Sequence, residues 1–108
     1  MNDTYYHFHL YYPVEEIERA QKVIDKVKLE LTSEVGRVWD KPVGPHPIGS
    51  CQVTIKKQEF LTAIHWFMKY REGFDLFIHP VTGNDLEDHT KNQMWMGKSY
   101  DLDTSIFS

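Results

Sequence analysis

The segment Tyr5-Tyr6-His7-Phe8-His9-Leu10-Tyr11-Tyr12-Pro13 sets the frame for the rest of the chain. It is rich in aromatic residues and alternates about Phe8 and Leu10, which predicts a β-strand with those two side chains on a buried face. Side chains alternate across a strand, so His7, His9 and Tyr11 share the opposite face. Pro13 ends the strand and can serve as the first position of a helix. Beyond it, Ile17, Ala20, Ile24, Val27 and Leu31 recur at spacings of three and four, one face of an amphipathic helix. Glu15, Glu16 and Glu18 lie near the positive end of that helix, where acidic groups are favoured.

The pattern continues outward in short blocks. Val35-Gly36-Arg37-Val38-Trp39 reads as a second strand. Residues 40–50 hold Pro42, Gly44, Pro45, Pro47 and Gly49, an irregular loop stiffened by proline. Cys51-Gln52-Val53-Thr54-Ile55-Lys56 alternates with period two and predicts a third strand. Phe60, Ile64, Phe67 and Met68 predict a second helix stopped at Gly73. Phe74 to His79 predicts a fourth strand, closed by Pro80. Asn84 with Glu87 three residues on resembles a helix N-cap, so a third helix is expected from about Asp85 to Met96, with an irregular tail.

The order β-α-β-β-α-β predicts an α+β, ferredoxin-like fold in one domain spanning residues 1–108. Right-handed crossovers give a four-stranded antiparallel sheet in the order 4-1-3-2, with both helices on one face. The first and fourth strands become neighbours. Leu76 and Ile78 then face the helices, while Phe77 and His79 face the same way as His7 and His9. His46 sits in the stiff Gly44-Pro45-His46-Pro47 turn, which must fold over this open face or reach across a dimer.

Composition narrows the function classes. The net charge of −4 argues against a nucleic-acid surface, which normally carries a basic patch. The one cysteine, Cys51, excludes an intrachain disulfide and reads as an inert buried thiol in a reducing compartment. Apolar runs are far shorter than the ~20 residues of a membrane span. Met1-Asn2-Asp3-Thr4 has no basic or apolar leader, so no signal peptide and a cytoplasmic location are expected.

Six histidines are present, and their placement matters more than their number. An HxH pair with His79 on the neighbouring strand can approach a common metal, since paired strands lie about 4.8 Å apart. Imidazole suits iron, zinc, copper and nickel, and three ligands on one side leave positions for substrate. Taken singly, each histidine is more simply a surface or hydrogen-bonded side chain. His65, beside Trp66 in mid-helix, is assigned to packing or surface. Asp85 and Asp88 stand near His89 and could orient its imidazole. Arg37 and Lys41 flank the loop and could bind a substrate carboxylate. Tyr11, Trp39 and Trp95 could wall an aromatic pocket, although core packing is the commoner use of such residues.

Three ordered blocks carry a resemblance to a known family: Tyr6-His7-Phe8-His9-Leu10-Tyr11, Pro42-Val43-Gly44-Pro45-His46-Pro47, and His79-Pro80 followed by Thr82-Gly83, Asp85 and Asp88-His89. With Trp95, Gly97, Leu102 and Asp103, they resemble the signature blocks of the DOPA 4,5-dioxygenase family over residues 5–107. The resemblance implies extradiol, Fe(II)-dependent opening of a catechol such as DOPA, with zinc or nickel as other divalent occupants. It puts His7, His9, His46, His79 and His89 at motif positions. On that basis His9, His46 and His79 are expected on the metal, His7 or His89 as acid/base, and Arg37, Tyr11 and Trp39 around the substrate. Two other readings remain: metal-assisted hydrolysis or isomerisation on the same histidines, and a non-catalytic ferredoxin-like domain that pairs with another copy. A homodimer meeting near the open face is expected in each case.

Overall fold

The computed structural model describes residues 5–107. Eight elements follow one another: β1 (Tyr5–Tyr12), α1 (Ile17–Glu30), β2 (Glu34–Val38), β3 (Gly49–Lys56), α2 (Phe60–Tyr70), β4 (Asp75–Pro80), α3 (Asp85–Asp88) and β5 (Met94–Met96). Short 3₁₀ turns at Val14–Glu16 and Lys57–Glu59 lead into α1 and α2, and another closes Thr104–Phe107. Among the described residues, no helix is long and apolar enough to cross a membrane.

The sheet runs β2-β3-β1-β4-β5, antiparallel throughout. The order expected for the first four strands holds, but the sheet has five strands, not four. The expected third helix stops after one turn, at Asp88. Its cap does form, with the Asn84 side chain accepting from the Glu87 N–H. The Asn92 N–H then turns back to Glu87 O, and the Thr90 hydroxyl to Leu86 O, so the turn closes on itself. Met94–Met96 instead pairs with Leu76–Ile78. A four-stranded sheet would leave the edge of β4 unpaired, and a strand buried on both faces cannot leave those backbone groups bare.

The helix-side face of the sheet carries the main core. Phe8, Leu10, Val53, Leu76 and Ile78 meet Ala20, Ile24 and Val27 of α1 and Ala63 and Phe67 of α2. Phe8 and Phe67 stack with ring centroids 5.4 Å apart. Trp66 ties the helices together, its indole N–H donating to the Glu30 carboxylate at 2.9 Å. Met68, expected on the apolar face of α2, is instead 64% exposed. Beyond α2 the chain reverses through Glu72 and Gly73, both at positive φ (53° and 77°).

The opposite face was expected to be open, with Tyr11 and Phe77 awaiting a cover. Both are fully buried. The 40–50 loop, Trp95 of β5 and the segment after Gly97 supply that cover within the chain. Trp95 stacks on Phe77 (4.7 Å), and Tyr100 meets Tyr11 (5.1 Å). The tail is therefore not loose. Asp75 accepts from the Lys98 N–H and from the Tyr100 hydroxyl, at 2.8 and 2.7 Å, and the Asp103 N–H donates to Pro45 O.

Candidate metal centre

Strand pairing brings the histidines together. In the β1–β4 ladder, His7 stands opposite His79, and His9 opposite Phe77. His46 arrives from the proline-stiffened loop, with its ring 4.3 Å from that of His9. His89 follows α3, with its ring 4.3 Å from that of His79. Phe77 lies among them, within ring contact of His9, His46, His79 and His89. His65 points away on the exposed side of α2.

The nitrogens are arranged for a cation. His9 Nε2 and His79 Nε2 are 3.1 Å apart. Two imidazole nitrogens bound about 2.1 Å from one ion lie roughly 3.0–3.4 Å from each other, so this spacing fits a shared metal without rearrangement. His7, His9 and His79 each offer a ligand atom, all within 4.8 Å of one another. The expected division put His46 in the ligand set and left His7 outside it; the distances group His7 with His9 and His79. His46 Nδ1 lies 2.6 Å from the Tyr11 hydroxyl.

Local hydrogen bonds fix two tautomers. The Nδ1 of His79 lies 2.8 Å from Pro80 O, and the Nδ1 of His89 lies 2.7 Å from Asp85 O. A carbonyl can only accept, so both Nδ1 atoms carry the proton, and each neutral ring keeps its lone pair on Nε2. The carboxylates expected to orient His89 act otherwise. Asp85 contributes its backbone oxygen, and the buried Asp88 side chain accepts from the Thr82 N–H and hydroxyl at 2.9 and 2.6 Å. Asp88 thereby pins the loop after β4 to α3, the two segments that carry His79 and His89.

Burial favours the neutral form of His7, His9, His46 and His79. It pushes His46 and His79 down to about 4, with the neighbouring histidines adding to the effect. His9 falls well below the ordinary imidazole range for the same two reasons. His7 is lowered by burial and His89, partly offset by Asp88 and Asp85. Neutral imidazoles at pH 7 are what a divalent cation requires of its ligands. The donor set, all nitrogen on one side of a cleft, fits iron, zinc, copper or nickel better than calcium or magnesium.

Two clefts reach this cluster. One, of about 220 Å³, is lined by His7, His9, His46, His79 and His89 together with Phe107. The second, of about 360 Å³, holds Arg37 and Trp39 and shares His9, His46 and Gln52 with the first. Tyr11 and Trp95 line neither cleft. Lys41 faces a separate groove beside Pro13 and Pro42. Cys51 is buried, and burial pushes its thiol up to about 11, as an inert thiol requires.

The Gln52 side chain and the fifth strand went unread in the sequence. Gln52 stands opposite His9 in the β1–β3 ladder, so the alternation that placed His9 also places Gln52.

Comparison with known proteins points to one family. The profile of the Dopa 4,5-dioxygenase family matches residues 6–106. A DOPA 4,5-dioxygenase of Amanita muscaria is 29% identical over 107 residues, covering 90% of this chain and 46% of its own. An uncharacterised protein of Botryotinia fuckeliana is 26% identical over 108 residues, covering 92% of this chain and 59% of its own. The chain thus spans about half the length of the curated relatives it matches. A crystal structure from Nostoc punctiforme, described as a candidate dioxygenase, superposes with a TM-score of 0.88 at 33% identity, covering 92% of this chain and 86% of that one.

Proposed function

This chain belongs to the Dopa 4,5-dioxygenase family, and from that premise we propose that it opens the ring of a catechol with O₂ at a metal held by His7, His9 and His79. The observation that carries the reading is the 3.1 Å approach of His9 Nε2 and His79 Nε2 on neighbouring strands, with His7 beside them. Fe(II) bound there would supply a Lewis acid able to hold both catechol oxygens and O₂ in one geometry.

The remaining histidines handle protons. His89 presents Nε2 as a lone pair, because its Nδ1–H is held by Asp85 O. It takes a proton from a catechol hydroxyl as the ring binds. Tyr11 stays a neutral phenol, since burial raises its pKa, and in this reading its hydroxyl, 2.6 Å away, donates to His46 Nδ1. That leaves His46 Nε2 as an N–H facing the clefts, the donor that returns a proton as the ring opens. Phe107, Val81 and Pro45 give the histidine cleft apolar walls that suit an aromatic ring. Both oxygen atoms enter the product, so no further reductant is needed.

The test is direct. Fe(II)-loaded protein is mixed with a panel of catechols under air, and the absorbance of a ring-opened semialdehyde is followed. Product with at least one catechol supports the reading. A panel left intact by protein that holds one iron per chain would overturn it.

A further inference from the structure

The two clefts extend to opposite sides of the histidines. The larger, of about 360 Å³, lies over β2 and β3, where Gly36, Arg37, Ser50 and Gln52 line it. The edge strand is irregular there: Val35 pairs with Val53 and Val38 with Cys51, so one extra residue is inserted at Gly36-Arg37, a β-bulge. The smaller cleft, of about 220 Å³, lies over β1 and β4 and ends against His89 and Phe107. His9, Pro45, His46 and Gln52 border both. A ring lying among the histidines therefore has space on its β2 flank and a wall on its β4 flank.

Phe107 is the outer part of that wall. Its ring lies 4.5 Å from that of His89, which in turn lies 4.3 Å from that of His79. The turn Thr104–Phe107 that carries it is tied to the opposite bank of the cleft. The Asp103 N–H donates to Pro45 O at 3.0 Å, next to His46. The Asp103 carboxylate accepts from the Ser105 N–H and hydroxyl at 3.2 and 2.6 Å, which tightens the turn. Ile106 reaches the same loop, since a Cβ on Gly44 would lie 3.9 Å from its Cδ1. Phe107 is thus placed by the loop that carries His46 as well as by its own contact with His89. It is only half-buried, so shortening it would open the cleft to solvent.

We propose that Phe107 is a specificity-determining residue, which admits a catechol substituted on one flank and excludes a catechol substituted on both. The inference rests on the ring-opening reading and deepens it by naming the substitution pattern the site refuses. A catechol held through both oxygens is symmetric about the axis between them, so its 4- and 5-positions point to opposite flanks. A lone substituent can turn toward the larger cleft whichever position it occupies. A second one must then point at Phe107. Exclusion by such a clash needs no added contact to the favoured ligand. The smaller cleft, at about 220 Å³, is below the roughly 300–1,000 Å³ of pockets that take drug-sized ligands, so it has no room to spare on that flank.

Binding without oxygen separates this wall from the chemistry. Fe(II)-loaded protein under argon is titrated calorimetrically with 4-ethylcatechol and with 4,5-diethylcatechol. The extra apolar area of the second ligand by itself favours binding, so a weaker affinity reads a clash. The wild type should bind the diethyl ligand at least tenfold more weakly than the monoethyl one. In Phe107→Ala that ratio should fall below threefold, and in Phe107→Leu it should lie between the two. If the alanine variant fails to fold, the leucine variant decides. A wild type that binds both ligands alike, a ratio unchanged in the variants, or no binding of either ligand overturns the proposal. A ratio that collapses in Phe107→Ala, in iron-loaded protein that never consumes O₂ with 4-ethylcatechol, keeps the wall and removes the ring-opening reading.

Discussion

His9 and His79 are seventy positions apart in sequence, yet their Nε2 atoms lie 3.1 Å apart. Adjacent strands bring the two residues onto one face, and the Pro80 carbonyl holds the His79 ring in the tautomer that turns its lone pair toward His9. Both side chains are almost fully buried. Two imidazoles this close, in so dry a place, form a site that a cation can complete.

Removing a ligand should therefore empty the site. His9→Ala and His79→Ala should fall from near one bound metal per chain to a small fraction of that, measured by elemental analysis after dialysis. His65→Ala, on the exposed side of α2, should keep the wild-type stoichiometry. Equal metal in all three proteins would show that the cluster is not the binding site.

Tyr11→Phe separates proton handling from metal binding. The hydroxyl lost is the 2.6 Å partner of His46 Nδ1, which would be left buried and unpaired, at a cost of about 1–3 kcal/mol in stability. Metal stoichiometry should hold while kcat falls, because the tautomer of His46 is no longer fixed. His46→Ala should cost more, roughly 10²–10⁴ in rate. A Tyr11→Phe protein with full kcat would remove His46 from the acid role.

Much of this site was legible in the sequence, for a simple physical reason. Period-two alternation assigns faces, and Phe8, Leu10, Leu76 and Ile78 mark the core side clearly enough that His7, His9 and His79 must share the other. Chain order then makes β1 and β4 neighbours. What alternation could not show was the cover. Met94–Met96 follows a genuine N-cap at Asn84 and looks helical, and only the unpaired edge of β4 explains why it becomes a strand. The bulge at Gly36-Arg37 is likewise invisible without its partner strand, since register belongs to a pair. The side-chain contacts of each histidine, such as that of His46 with Tyr11, are single hydrogen bonds that no spacing rule supplies.

Acid should unfold the metal-free protein early. His46 and His79 have folded values near 4, and His9 is also strongly lowered, against about 6.5 for an unfolded histidine. Below 6.5 the unfolded chain takes up protons that the folded chain refuses, so stability present at neutral pH is lost between about pH 6.5 and 4. Melting temperature should fall across that window, and metal should shift the loss to lower pH. A flat profile from pH 7 to 5 would contradict neutral buried histidines.

Gly97→Ala tests the clasp that closes the tail over the site. Gly97 has φ +86°, and an added Cβ would run into the Asp75 carboxylate that holds the Lys98 N–H and the Tyr100 hydroxyl. The substitution should destabilise by about 1–3 kcal/mol through strain and a lost hydrogen bond. Denaturant melts would measure it. Hydrogen exchange at Lys98 should quicken beyond what global unfolding explains, and unchanged exchange there would show that Asp75 is not the clasp.

The most direct test of a dioxygenase at this histidine cluster is the fate of oxygen itself. Iron-loaded protein is given a catechol under isotopically labelled O₂, the aldehyde is trapped by reduction before it exchanges, and the product is weighed by mass spectrometry. The expected result is two labelled atoms in each ring-opened molecule, one in the new carboxylate and one in the trapped aldehyde, with both lost in His79→Ala. A product whose oxygen comes from water, or a catechol merely oxidised to its quinone without label, would contradict it.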